Sequence, residues 1–481
     1  MPTDPLVIYL LIRLAVAVIG FIILLREYFK GRMRVEPFLL WSVTVIFLPW
    51  LAILAHLIIG RTSYPENAFE STGLSEEQLS ELRDKEDSIL DSEPEDMKWA
   101  VDYAKAIRNI GGTGYTRNND VKLIVDGKTK FDYLLEDLRN AQTYIHLQYY
   151  IVRDDKLGNE FLSILTEKAQ QGVEVKLMSD DLGKTKKINK AIKKFESAGG
   201  KYALFHRMLP LAFSPKKNER NHRKIIIIDG KIGYCGGFNV GDEYIEDETL
   251  GVCRDTVVRI VGDAAVSLEI GFQRDWAYIT KETLENEEKY IGITNPPCGE
   301  DRVQVVRGGP NEKNNPIQLH YLKLIQTAQR TLFIHTPYLD LDDTLTDALI
   351  VAAKSGVDVR IIIPKVPDIL LIGWLNEDSA FNLQKKGIRV YQYENGFFHS
   401  KGLVADGKYC SVGSSNMDMR SLIHNFETNT MIYSEKLGKE MEEAFLKDLE
   451  HSIEFDPNIV LKRNFKKKFR DMWARNFRTL I

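Results

Sequence analysis

His222-Arg-Lys224-Ile-Ile-Ile-Ile-Asp229 is followed by Gly236-Gly-Phe-Asn239, and the same grammar returns as His399-Ser-Lys401-Gly-Leu-Val-Ala-Asp406 followed by Gly413-Ser414-Ser415-Asn416. Each block sets Lys two, Asp seven and Asn seventeen residues after its His. In a chain with 9 histidines, two such blocks with a matched Asn do not arise from shared composition. Alternate residues of a strand share a face, so His222 with Lys224, and His399 with Lys401, are expected to project together into one site. Asp229-Gly230 and Asp406-Gly407 are turn dipeptides in which a carboxylate fixes backbone amides. Asp229 and Asp406 therefore complete the catalytic motifs as supporting residues. The Gly-rich segments let backbone approach an anion, to which Asn239 and Asn416 can donate.

Outward from these blocks the chain repeats itself. A helical stretch ending at Ala141 leads to a strand from Thr143 to Tyr150, a helix from about Leu157 to Gln171, and Gly172-Val-Glu-Val-Lys-Leu-Met. A helical stretch ending at Ala328 leads to a strand from Thr331 to Tyr338, a helix from about Leu345 to Ser355, and Gly356-Val-Asp-Val-Arg-Ile-Ile-Ile. Alternating strands and helices predict an α/β fold, and two copies related by a pseudo-twofold axis bring both His-Lys sets to one pocket. The predicted organisation is a transmembrane hairpin at 1–60, an acidic linker and lead-in at 61–116, a first α/β half at 117–295, a second at 296–460 and a basic amphipathic segment at 461–481.

The hairpin rests on two apolar runs, Leu6 to Leu25 and Phe38 to Ile59, of 20 and 22 residues, each long enough to cross a bilayer as a helix. Arg13 interrupts the first run, and Pro49 and His56 the second. The segment between them carries four cations, from Arg26 to Arg34; the charge rule for loops leaves the side of the membrane open. Residues 61–98 hold twelve Asp/Glu against four Lys/Arg, the pattern of a solvated, partly helical spacer. The overall charge of −4 argues against a dedicated nucleic-acid coat. It is a sum of opposed parts, because residues 461–481 carry +7 and the rest −11. With Phe465, Phe469, Trp473 and Phe477 recurring every four residues, this tail is expected to lie on an anionic membrane surface. The apolar stretches Met208 to Phe213 and Ile369 to Leu375 are expected to flank the site's mouth, and the lysines of 184–194 and 216–217 to gather anionic headgroups. Four cysteines without a CxxC pair give neither a zinc signature nor a disulfide framework.

Two histidines, two lysines and two asparagines in one pocket suit phosphodiester exchange in two displacements. One His attacks phosphorus, while the other protonates the leaving oxygen and then deprotonates the incoming alcohol. Lysines and amides stabilise the charge on a pentacoordinate phosphorus without a cofactor or metal. The paired HxKx₄D motifs with Asn at +17 resemble those of the phospholipase D superfamily. With the apolar N-terminus and the segments Arg254-Asp255-Thr256 and Asn425-Phe-Glu427-Thr, they resemble its bacterial cardiolipin synthase branch. That resemblance implies an enzyme of the bacterial inner membrane that condenses two phosphatidylglycerol molecules into cardiolipin and glycerol. It implies His222 as nucleophile of a phosphatidyl-histidine intermediate and His399 as acid and base, although the residues alone leave the two interchangeable. It also implies phosphate contacts from Lys224, Lys401, Asn239 and Asn416, with Ser414 as an extra hydroxyl donor where the first half has Gly237. The acidic residue that orients each His matches Glu427 in the second half, and in the first half Asp255, set further from its His by an insertion. A phospholipase D hydrolase, transfer to another alcohol, and an inactive membrane scaffold stay open as alternatives, because acceptor choice lies in pocket shape.

Overall fold

The computed structural model describes residues 4–29, 35–59, 76–111, 114–183, 187–206, 218–247, 249, 251–282, 288–293, 295–312 and 314–463. Much of the basic segment between the two apolar runs, the stretch Met208 to Phe213, the lysines at 184–186 and 216–217 and nearly all of the basic tail lie outside the described residues. The chain divides into two units, one holding the apolar N-terminus and the other the α/β body.

In the N-terminal unit, α1 (Pro5–Phe29) is apolar around its circumference, with Leu6, Leu14 and Ile22 largely exposed, as in a helix whose surroundings are themselves apolar. It is the one described helix long and apolar enough to cross a membrane, with a mean hydropathy of 2.8 over Pro5–Arg26. The second apolar run is divided into α2 (Val35–Phe47) and α3 (Pro49–Ile59), of 13 and 11 residues, each shorter than the about 20 that a span takes. Pro49 lacks the N–H that would continue the ladder. The chain is carried past it by Leu48 N to Thr44 O at 2.8 Å and Ala52 N to Leu48 O at 2.8 Å. The Arg13 guanidinium donates to the Phe47 carbonyl at 2.9 Å, which gives the cation inside this apolar helix a partner on the interrupted turn.

The body contains the two predicted halves. The first is built from β1 (Asn119–Asp126), β2 (Tyr144–Tyr149), β3 (Glu174–Asp180), β4 (Lys201–Phe205), β5 (Arg220–Asn221), β6 (Ile225–Ile228), β7 (Ile232–Gly236), β8 (Glu246–Asp247) and β9 (Gly251–Gly262). The second uses β10 (Arg302–Gly308), β11 (Thr331–His335), β12 (Leu339–Asp340), β13 (Asp358–Pro364), β14 (Arg389–Tyr393), β15 (Phe397–Phe398), β16 (Gly402–Ala405), β17 (Tyr409–Gly413), β18 (Met417–Asp418), β19 (Asn425–Tyr433) and β20 (Ser452–Glu454). The sheet orders β1-β9-β7-β6-β2-β3-β4 and β10-β19-β17-β16-β11-β13-β14 match strand for strand, and β20 extends the second. The predicted helices after β2 and β11 run Lys156–Gln170 and Asp343–Lys354.

The described part of the acidic stretch, 76–98, docks on the body rather than standing off as a solvated spacer, as does the lead-in that follows it. Leu90, Tyr103, Ile107 and Tyr115 are buried in the same core as Ile317, Tyr321 and Tyr433 of the second half. Acidic residues serve that docking: Glu86 Oε1 accepts the Tyr115 amide at 2.9 Å, and Glu93 pairs with Arg302 at 3.1 Å.

Candidate active site

Two strand exchanges build the site. β5, just before His222, pairs in parallel with β19 of the other half, and β15, just before His399, pairs in parallel with β9. The ladders continue into the motifs, since His222 N–H donates to Phe426 O at 3.0 Å and His399 N–H to Arg254 O at 2.9 Å. Each histidine is therefore carried by its own half and hydrogen-bonded to the other. His-x-Lys forms an extended approach to β6 or β16 rather than part of the strand. The Lys224 ammonium turns back to the His222 carbonyl at 2.6 Å, and Lys401 does the same at His399.

The acidic partners cross between the halves. Glu427 lies 2.9 Å from His222 Nδ1 through Oε1, and Asp255 lies 2.7 Å from His399 Nδ1 through Oδ2. This corrects the expectation that each carboxylate serves the histidine of its own half. The swap follows from the strand exchange, because Asp255 and Glu427 each follow the residue whose carbonyl holds the opposite histidine. A carboxylate at Nδ1 makes that nitrogen the proton carrier and leaves Nε2 as the basic one. Burial pushes His222 down to about 4, with Glu427 opposing it, and also lowers His399, with Lys401 adding to the effect. Burial brings Lys224 down to about 7 and lowers Lys401. Burial alone would raise Glu427 and Asp255; the charges of His222 and of Lys401 with His399, respectively, outweigh it and hold both carboxyls below the usual range. Lys401 is close enough to act on His222, and Lys401 and Asp255 on Lys224, so the two motifs form one electrostatic cluster.

Other motif residues sit elsewhere or do something else. Asp229 accepts the amides of Gln142, Thr143 and Tyr144 at 2.9, 2.7 and 3.0 Å. Asp406 accepts those of Gln329, Arg330 and Thr331 at 2.9, 2.7 and 3.0 Å. Both occupy positive-φ turns, at 54° and 55°, ahead of Gly230 and Gly407. Seven residues of extended chain put each roughly 20 Å from its histidine. They are grouped with the catalytic residues by motif alone, since their carboxylates anchor the far ends of β2 and β11. Ser414 also departs from its expected phosphate role. Its hydroxyl donates to Glu427 and accepts the Thr428 amide at 3.0 Å. At the matching position of the first half, a Cβ on Gly237 would lie 2.1 Å from Asp255 Oδ1, so glycine makes room for the carboxylate that serine steadies in the other half. Asn239 is held by Tyr244, whose ring lies 5.7 Å from that of His399. Asn416 donates to Asp418 at 3.3 Å and lines a cavity together with His222.

That cavity measures about 690 Å³ with its open mouth, and sequence reasoning placed only part of its wall. Tyr150, Arg220, Arg420 and Asn425 line it, as do Ile369, Ile372 and Leu375. The segment Ile369 to Leu375, expected at the mouth, is thus the start of a helix, Leu370–Gln384. Ile372 and Leu375 are buried, while Leu370 is 68% exposed. Arg223, between His222 and Lys224, points away from the chemistry. Its guanidinium is paired with Asp275 and donates to Glu427 O at 3.1 Å and Gly308 O at 2.9 Å, tying the His222 strand to the second half. An arginine inside the motif was the available signal, but its partners are distant in sequence.

Two equivalent α/β halves that deliver a histidine, a carboxylate and a lysine each to one buried cluster define the phospholipase D-like class of phosphodiester-transferring enzymes. Residues 134–276 and 321–449 match the family described as "Cardiolipin synthase, PLD-like domain". A cardiolipin synthase of Staphylococcus aureus (strain Mu50) is 38% identical over 454 residues, covering 92% of this chain and 91% of the relative. Cardiolipin synthase 2 of Staphylococcus epidermidis is 37% identical over 470 residues, covering 94% and 93%. The fold is shared with the crystal structure of a phosphatidylserine synthase from Haemophilus influenzae, with a TM-score of 0.58 at 14% identity over 79% of this chain and 100% of that one. The chain belongs to the phospholipase D-type cardiolipin synthase family, and its enzyme class is phosphatidyltransferase.

Proposed function

We propose that the protein transfers a phosphatidyl group from one phosphatidylglycerol to a second, giving cardiolipin and glycerol through a phosphatidyl-histidine intermediate. The observation that carries this reading is the pair of crossed carboxylate–histidine contacts, Glu427 to His222 and Asp255 to His399. They fix both imidazoles at Nδ1 and leave both Nε2 atoms for the chemistry in one buried cluster. His222 borders the cavity and is the more exposed of the two histidines, which favours it as the nucleophile. In the first displacement the His222 Nε2–P bond forms, the P–O bond to glycerol breaks, and His399, entering the step as an imidazolium balanced by Asp255, gives the leaving oxygen its Nε2 proton and becomes neutral. In the second, His399 takes the proton of the incoming hydroxyl as the O–P bond forms and the N–P bond breaks. Lys224 and Lys401 neutralise the phosphoryl oxygens in both steps. α1 supplies a membrane anchor, and the divided second apolar run packs back on it at Leu24, Val45 and Ala52. The basic tail adds contact with anionic lipid.

The test is purified protein given labelled phosphatidylglycerol as its sole lipid. Cardiolipin with stoichiometric glycerol is the expected product. Phosphatidic acid alone would establish a hydrolase, and full activity in His222→Ala or His399→Ala would overturn the mechanism.

A further inference from the structure

The cavity beside His222 holds more polar recognition than the reacting phosphate needs. Arg420 and Arg220 both line it and belong to neither motif. Arg220 is fixed there by Asp180, whose Oδ1 lies 3.3 Å away and whose Oδ2 accepts the Asn221 amide at 2.9 Å. The Arg420 charge reaches Tyr150 and Asp418, which also form the wall. Two buried acceptors on the same wall, Asn416 Oδ1 and Asn425 Oδ1, have no hydrogen-bond partner among the described residues. A buried carbonyl without a donor is costly, and both belong to residues that line one cavity, together with two cations and the carboxylates of Asp340 and Asp418. Ile372 and Leu375 add apolar surface to its lining.

That set matches an alcohol that itself carries a phosphate. Resting on the transferase reading above, we infer that this cavity is the acceptor subsite: Arg420, with Arg220 behind it, holds the acceptor's own phosphodiester, and Asn416 and Asn425 accept from its glycerol hydroxyls. The apolar strip then receives the first carbons of the acceptor's lipid. Held this way, the terminal hydroxyl reaches the phosphatidyl-histidine, loses its proton to His399 and forms the O–P bond as the N–P bond to His222 breaks. Water and free glycerol carry no phosphate and gain nothing from Arg420. The arginine thus separates lipid acceptors from other alcohols.

The experiment compares two reactions of the full-length protein in phosphatidylglycerol vesicles: cardiolipin formation, and incorporation of labelled free glycerol into phosphatidylglycerol. The second shares the donor step but uses an acceptor without phosphate. Arg420→Gln is expected to lower the ratio of cardiolipin formation to glycerol exchange by about tenfold, the loss of one charge-assisted contact. Arg420→Lys, which keeps the charge, is expected to retain most of the wild-type ratio, and it supplies the reading should Arg420→Gln fail to fold. A wild-type ratio in Arg420→Gln, or equal ratios in both variants, overturns the inference alone. Wild-type protein that makes no cardiolipin while still exchanging glycerol overturns the reading of phosphatidylglycerol as acceptor, and the inference with it.

Discussion

The two halves share strand order, turn geometry and motif spacing, yet they support their catalytic pairs by different means. For His399 the orienting carboxylate is a short Asp255 supplied by the first half, pressed against Gly237 and held by the Thr256 amide at 2.7 Å. For His222 it is a longer Glu427 supplied by the second half, held by the Ser414 hydroxyl and by Asn425 at 3.3 Å. Around the motifs the difference repeats: Arg223 bonds to buried Asp275 behind His222, whereas behind His399 Ser400 meets Thr256 at 2.6 Å and Arg254 pairs with Asp448. Duplication conserves the placement of an acid beside each base. The surrounding packing decides which acid fits, and it leaves His222, and not His399, on the wall of the cavity.

The comparison breaks first at the histidines. His222→Ala and His399→Ala are each expected to lower kcat by about 10³-fold or more, since each removes a proton-transfer or nucleophilic group. Chromatography of lipid products measures this, and a half that survived loss of its histidine would show that convergence is unnecessary. Next come the crossed acids. Glu427→Gln and Asp255→Asn keep size but lose the charge that fixes the Nδ1 proton, with an expected loss of about 10²-fold or more in kcat at little change in KM. The halves should separate at the neighbouring position: Gly237→Ala places a methyl in the space of Asp255 and is expected to cost far more than Ser414→Ala. The latter removes one hydrogen bond to a charged group, about 1.5–3 kcal/mol at most. Equal effects from those two would erase the distinction drawn between the halves.

Much of this was legible from residue order. Repetition exposed the two halves, because each His-Lys-Asp-Asn block sits in the same strand-helix grammar and both sheets follow it. The crossing of Asp255 and Glu427 was not legible, because β5–β19 and β15–β9 pairings join segments distant in sequence whose two-residue strands carry no periodicity. The break at Pro49 was visible as a proline inside an apolar run, but its partner contact from Arg13 is tertiary. The acidic stretch 61–98 misled through its charge, which concealed Leu90; just beyond it Tyr103 and Ile107, four residues apart, mark a helical face buried in the same core. Arg420 offered no motif at all, and only the cavity gives it meaning.

A smaller effect separates the two lysines from their usual chemistry. Lys224, brought to about 7 by burial, is protonated below that value and loses its charge as pH rises through it. His222, at about 4, is neutral above that value and is lost as a nucleophile below it. To the free enzyme's kcat/KM His222 therefore contributes an acidic limb at about 4 and Lys224 a basic limb at about 7. In Lys224→Arg the basic limb due to this residue should vanish from whatever activity remains, because a guanidinium does not titrate there.

The smallest expected effect concerns the aspartates of the two motifs. Asp229→Asn and Asp406→Asn each weaken three amide contacts at a strand end, so thermal unfolding is expected to shift by a few degrees, on the order of 1–2 kcal/mol, with kcat per folded molecule changing far less than in the histidine variants. The acid side has a defined sign at Asp229. Burial alone would raise its pKa, but bonds from Thr143, Gln142 and Tyr144 outweigh it and set the folded value below the ordinary 3.8. The stabilisation is thus present above that value and is lost as pH falls through the lower, folded one. Calorimetry of wild type and Asp229→Asn between neutral and acidic pH checks this, since the two should converge in stability as the wild-type carboxylate protonates. A kcat loss comparable to that of His222→Ala, with unchanged stability, would instead return Asp229 to the reacting groups.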